Sequence, residues 1–265
     1  MPNDLSAVAK ISLILVFIAV LGSVANMSAS SGYKVIKTIR LSRDGAWDYI
    51  AVDSDSRRLY ITRETHVEVV EEDTGAVIGD ITGTEGVHGV ALVPEFGRGF
   101  TTNGHSNTVT IFDLKSLKVL STVKTGADPD SIAYDGTNKL IFVTNEHGKS
   151  VTVIKAMEGT VAATIQLADE PEFVIADDQG HVYVNLDDPA EIAVIDTATL
   201  SVSKRVPLTH CQEPTALAMD QKARRLFAAC RNETMMVLDP DAGKVVAKVP
   251  IGAGVDGMAF DPSSQ

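Results

Sequence analysis

From residue 47 onward, apolar residues arrive in short runs separated by turns rich in Gly, Asp, Asn and Thr. One kind of run is nearly continuous and recurs six times: Trp47–Asp53 (WDYIAVD), Val87–Val93 (VHGVALV), Pro129–Asp135 (PDSIAYD), Pro171–Asp177 (PEFVIAD), Pro214–Asp220 (PTALAMD) and Val255–Asp261 (VDGMAFD). Their last residues are 40, 42, 42, 43 and 41 positions apart. A second run follows each of the first five at a fixed distance: RRLYITR, GRGFTTN, KLIFVTN, GHVYVNL and RRLFAAC. A third run (HVEVVE, NTVTIFD, KSVTVIK, EIAVID, TMMVLD) and a fourth (AVIGDI, KVLSTV, TVAATI, SVSKRV, KVVAKV) complete each unit, and these alternate apolar with polar. Alternation marks a strand with one wet face, and a continuous apolar run marks a strand buried on both. Sustained helical periodicity is missing, and β-branched residues crowd the apolar positions. Four antiparallel strands per unit of about 42 residues predict the blade of a β-propeller, with a β-solenoid or sandwich as the competing all-β forms.

The first strands carry small residues, Ala51, Ala91, Ala133, Ala218 and Ala259, where strands converging on a centre leave little room; Ile175 is the exception. The second strands carry an aromatic at a fixed place, Tyr60, Phe100, Phe142, Tyr183 and Phe227, expected to fill the space between blades. The motifs Tyr60-Ile61-Thr62-Arg63, Phe100-Thr101-Thr102-Asn103 and Phe142-Val143-Thr144-Asn145 resemble the YVTN-type β-propeller repeat of bacterial exported proteins. Tyr183-Val184-Asn185-Leu186 and Phe227-Ala228-Ala229-Cys230 depart from the motif. The resemblance implies export and, commonly, seven blades. It implies no single reaction: relatives are linked to nucleic acids, to cell surfaces, or to quinone-type and metal-dependent enzymes.

On this reading residues 33–265 form the propeller. Complete blades span about 42–83, 84–126, 127–168, 169–208 and 209–251, and 252–265 begins a sixth. The segment after Tyr33 (KVIKTIRL) has the pattern of a fourth strand and is expected to close the ring. Seven blades would need more chain, so the sequence reads as truncated at its C-terminus, or else as an open ring. Residues 1–29 form the leader. A largely apolar run of 15 residues, 11–25, follows Lys10 and carries small-residue cleavage signals at and beyond its end, the layout of a secretory signal peptide; an uncleaved anchor is the competing reading. A periplasmic or secreted location follows, with no stable membrane insertion after cleavage.

Charge removes one class of partner. With 35 acidic residues against 23 Lys and Arg, the net charge is -12, and no basic patch offsets it, so nucleic acid is disfavoured. The acidic residues are informative by position. Five places before each first-strand end stand Asp48, His88, Asp130, Glu172, Thr215 and Asp256, with Glu213 close by. In a propeller these crowd one mouth of the central channel. Converging carboxylates repel unless a cation or shared protons offset them. Asp48, His88, Asp130, Glu172 and Asp256 therefore form a candidate site for Ca, Mg or Zn. The loops after the second strands add an expected outer rim of His66, Asn103, His105, Asn145 and His147. The competing reading is a wet rim whose polar residues cap strands and turns.

No nucleophile elbow, phosphate loop or zinc-protease helix is present. The leading expectation is thus a binding module for a protein, glycan or small-molecule ligand at the mouth. The alternative is a metal-dependent hydrolase or lactonase, with Asp130, Glu172 or His88 as base. Cys211 and Cys230 fall at one rim on adjacent strands and predict a disulfide; free thiols, or a soft-metal pair with His210, compete with it.

Overall fold

The computed structural model describes residues 34–41 and 46–263; the expected leader lies outside the described residues. The chain divides after Ile39. Of the first unit, residues 34–39 hold no strand and are largely exposed. The second unit is all-β and built from repeated antiparallel sheets. Among the described residues no helix is long and apolar enough to cross a membrane.

The first set is β1 (Ile50–Asp53), β2 (Arg58–Thr62), β3 (Glu64–Glu71) and the front half of β4 (Val77–Val93). The second is the back half of β4 with β5 (Arg98–Asn103), β6 (Thr108–Asp113) and β7 (Val119–Lys124). The third runs β8 (Pro129–Asp135), β9 (Leu140–Asn145), β10 (Ser150–Lys155) and β11 (Thr160–Gln166). The fourth runs β12 (Pro171–Ala176), β13 (His181–Leu186), β14 (Glu191–Asp196) and β15 (Ser201–Pro207). The fifth runs β16 (Pro214–Asp220), β17 (Arg225–Cys230), β18 (Thr234–Asp239) and β19 (Lys244–Pro250). Each set pairs its strands in sequence order.

The expected boundary at residues 83/84 is instead continuous strand. The front of β4 pairs with β3 (Thr82 opposite His66) and its back with β5 (Val87 opposite Asn103), joining two sets into one seven-stranded sheet. Gly83 and Gly86, at φ 74° and 68°, supply the left-handed bends that turn the strand between them.

The recurring aspartates are turn residues. Asp53, Asp177, Asp220 and Asp261 accept backbone N–H groups two to four residues ahead, as Asp135 does from Thr137 and Asn138. The unit lacking one, ending at Val93, uses a short 3-10 turn at Pro94–Phe96 with Gly97 left-handed at φ 63°.

Two expected strands are not formed. Residues 34–41 and 255–261 carry no strand. The Val255 carbonyl accepts from Thr215 Oγ1 at 2.6 Å.

The core lies between the sets. Tyr60 packs with Val87, Phe112 and Leu114; Phe100 with Ile141, Val143 and Ile154; Phe142 with Val174, Val182 and Val184; Tyr183 with Leu217, Met219 and Leu226. Each second-strand aromatic thus joins one set to the next, as the repeat predicts, and Phe227 stacks on Phe260 at 6.0 Å. Side-chain hydrogen bonds run across the same junctions. Thr102 Oγ1 and Thr144 Oγ1 each take a first-strand N–H of their own set, from Gly89 and Ser131, both at 2.8 Å. Each hydroxyl also reaches a carbonyl of the next set: Thr102 that of Asp130, and Thr144 that of Glu172 at 3.1 Å. Asn185 does the same with Phe173 N–H and the Pro214 carbonyl.

Candidate functional site

These junction bonds grip the chain at the residues that carry the chemistry. Asp130 and Glu172 each have their own carbonyl held by the preceding set, so their side chains start from anchored backbone at one end of the first strands. Tyr49, next to Asp48, meets Phe173, next to Glu172, edge-on with ring centroids 5.4 Å apart.

Three predicted residues converge. His88 Nδ1 stands 2.7 Å from Asp48 Oδ2 and 3.6 Å from Asp130 Oδ1. One ligand atom from each of the three lies within 4.8 Å of the others, a spacing compatible with a metal ion. Asp130 is only 8% exposed, and its carboxylate accepts no hydrogen bond. Burial pushes its pKa well above the usual carboxylate range; His88 opposes that shift, while Glu172, Asp48 and Glu146 add to it. The Asp48 hydrogen bond raises the His88 pKa above the ordinary imidazole value, against the opposing effect of burial.

Glu172 is half-buried without an ion pair. Burial first, then Glu146, Asp187 and Asp256, push its pKa up to about 7, with Arg231 opposing. Tyr49 is raised above the phenol range by burial and then by the charges of Asp130, Asp48, Glu172 and Asp256. Asp256 is exposed, and Thr215 is buried.

A second cluster joins Asp128, Glu146 and His147, also at a spacing compatible with a metal ion. His147 Nδ1 lies 2.6 Å from Asp128 Oδ2, which raises the pKa of this exposed imidazole. A Cβ at Gly104 would fall 2.5 Å from Asp128 Oδ1 and 3.0 Å from His88 Nε2, so glycine is what lets the two clusters approach.

The other rim residues are placed differently. Asn103 and Asn145 are fully buried inside their own sheets. The Asn103 amide lies 3.0, 3.0 and 2.9 Å from the Thr101, Thr108 and Thr110 hydroxyls, and the Asn145 amide donates to Ser150 and Thr152. His105 is exposed but lines a hollow of about 160 Å³ with Trp47, Asp48, Glu64 and His88. His66 Nδ1 lies 3.2 Å from the Thr65 hydroxyl. Glu213 pairs with Arg231 at 2.7 Å on the surface. Cys211 and Cys230 form a disulfide, which removes the free-thiol and soft-metal readings.

Tyr49, Asp128, Glu146 and Asp187 escaped the sequence reading, and Arg231 entered it only as part of a possible rim loop, Cys230-Arg231-Asn232. The repeat held a signal for most of them. Glu146, Asp187 and Arg231 each follow the last residue of the second-strand motif, and Asp128 stands two places before Asp130. These two places are bonded in three sets, Glu146 N–H to the Asp128 carbonyl, Asp187 to Glu170 and Arg231 to Glu213.

Just along the first strands lies a cavity of about 170 Å³ lined by Tyr49, Ile50, Gly89, Val90, Ser131, Ile132, Phe173, Gly257 and Met258. A larger open groove of about 600 Å³ includes Asp53 and Asp113. Its Asp53 and Asp113 are occupied by Ser56 and Ser116 of their own turns, so the chemistry converges in the smaller space.

No family model and no curated protein matches the chain. Among solved structures, a chain described as Kuenenia stuttgartiensis hydrazine synthase superimposes with a TM-score of 0.62 at 17% identity, covering 87% of this chain and 94% of that one. At that identity the likeness is one of fold: the chain shares an all-β repeat architecture with a solved protein.

Proposed function

We propose that this chain is an exported β-propeller binding module whose channel mouth holds a divalent cation at Asp48, His88 and Asp130. The observation that carries the reading is Asp130: a carboxylate 8% exposed, without a hydrogen-bond donor, beside an imidazole already engaged by Asp48. A carboxyl buried in this way holds its proton unless a nearby cation offsets the cost of its charge. Two carboxylates and one imidazole suit a hard or borderline ion and leave coordination positions for a ligand. Export is supported by the leader-like N-terminus together with a disulfide, a bond that persists in oxidising compartments.

Calorimetric titration of metal-stripped protein with Ca²⁺, Mg²⁺, Mn²⁺ and Zn²⁺ tests the reading. We expect saturable binding of at least one ion, weakened about tenfold or more in Asp130→Asn. Absence of binding by all four at millimolar concentration overturns it.

A second reading, metal-assisted hydrolysis of an ester or lactone, draws on Glu172, whose pKa of about 7 suits a general base at neutral pH. Turnover of a simple lactone that is lost in Glu172→Gln would favour it.

A further inference from the structure

An open groove of about 590 Å³ lies between the fourth and fifth sets, along their outer strands β15 and β19. Its floor is apolar: Val206 and Met236 belong to the buried core of this junction, and Pro207 and Val245 are more exposed. The repeat shows why the groove is open. In the last four sets the turn before the fourth strand holds a left-handed residue, Leu117, Gly159, Leu200 or Gly243, at φ 59°, 67°, 52° and 61°. Leu117 packs into the apolar cluster between the first and second sets, and Leu200 into the one between the third and fourth. At Gly159 a methyl of Ile111 takes that place, 2.7 Å from where a Cβ would be. At Gly243 the place goes instead to the ammonium end of Lys204.

Lysine breaks the repeat at this junction alone. Lys204 lies opposite Val194 in its ladder, and the equivalent residues of the other sets are Gly79, Ser121, Ala163 and Ala247. Lys248 lies opposite Met236, where the other sets have Asp80, Thr122, Thr164 and Arg205, the last paired with Glu191. Lys244 and Lys248 both line the groove and, among the described residues, make no ion pair or side-chain hydrogen bond. The carboxylates of the adjacent turn are held by arginines, Asp241 by Arg224 at 2.6 Å and Asp239 by Arg225 at 3.9 Å. On a chain of net charge -12, three lysines about one apolar floor reverse the local sign. Such a groove is complementary to an anion that carries an apolar chain.

We propose that this groove binds an amphiphilic anion, a carboxylate on an aliphatic chain of medium length. The lysines that edge the groove donate hydrogen bonds to the carboxylate, and the chain lies against Pro207 and Val245. The site shares no residue with the ion site at Asp48, His88 and Asp130, and it stands apart from that reading.

The probe is octanoate, titrated calorimetrically into the metal-stripped full chain, so that its carboxylate cannot ligate an ion elsewhere. Acetate and 1-octanol are the comparisons. Octanoate should bind about tenfold or more tightly than either, because only it offers both the chain and the charge. Lys244→Gln combined with Lys248→Gln removes two charges that no carboxylate pairs with, and it should weaken octanoate about tenfold. Gly243→Leu installs the side chain that Leu117 and Leu200 carry at the same left-handed backbone, displaces only the flexible end of Lys204, and should weaken octanoate similarly. Neither variant should change the binding of divalent ions.

No octanoate binding at millimolar concentration, or binding of acetate or 1-octanol equal to it, overturns the proposal. So does octanoate binding that is unchanged in the double lysine variant, since the anion would then sit elsewhere. The wild-type comparisons decide even where a variant fails to fold. Ion binding without octanoate binding removes this proposal alone, and the reverse removes the ion site alone.

Discussion

Glu172 carries the most readable chemistry of any single residue in the candidate site. Its pKa of about 7 lies above the ordinary 4.5, chiefly because burial disfavours the charged form. Between those two values the folded protein keeps a proton that the unfolded chain has lost. Its contribution to stability is therefore most favourable below pH 4.5 and falls as pH rises through 7. Glu172→Gln should abolish that fall: the variant should match the parent at pH 4.5 and exceed it at pH 8 by on the order of 1 kcal/mol, discounted for partial exposure. Thermal melts of both proteins across this range check it, and parallel pH profiles would count against the assignment. The repeat made position 172 visible as a candidate. It made Asp256 visible beside it, but not Glu146 and Asp187, which lie in the loops after two different second strands.

Strands in this protein are coupled through side chains as well as ladders. The third residue of each second-strand motif is Thr62, Thr102, Thr144, Asn185 or Ala229, and the first four accept a backbone N–H from the first-strand segment of their own set. Thr102, Thr144 and Asn185 use that place to bond both their own set and the next. Ala229 has no polar group to do so, and in its set the bond to the following segment comes from Thr215 instead. Thr144→Val keeps the shape of the side chain but leaves the buried Ser131 N–H and Glu172 carbonyl without it. A loss of about 1–3 kcal/mol is expected, read as a lower midpoint in urea with an unchanged slope. The fourth motif residue shows the limit of reading polarity as exposure. Asn103 and Asn145 look like rim residues in sequence, yet each is fully buried because neighbouring Thr and Ser side chains satisfy its amide.

Across the molecule, stability resides at the junctions between sets. Phe142 is fully buried and contacts the apolar residues of β12 and β13, so it belongs to the cohesion of two sets at once. Phe142→Ala should cost about 3–5 kcal/mol, the amount expected when a buried ring leaves a cavity that cannot collapse. Chemical denaturation followed by far-UV circular dichroism measures it; a change within 0.5 kcal/mol would mean that the junctions do not carry the load. The unit length, the order of four strands, the aspartate turns and the aromatic at each junction were all determined by the sequence alone. They are local properties, repeated at fixed spacing, and each copy reports the others. Only the tertiary structure decided that β4 runs unbroken through two sets, and that residues 34–41 and 255–261 remain without strand pairing. It alone also brought Tyr49 to Phe173 and buried Asp130 beside His88 and Asp48. Pairing, burial and charge coupling depend on distance in space, and no single repeat contains the residues that set those distances.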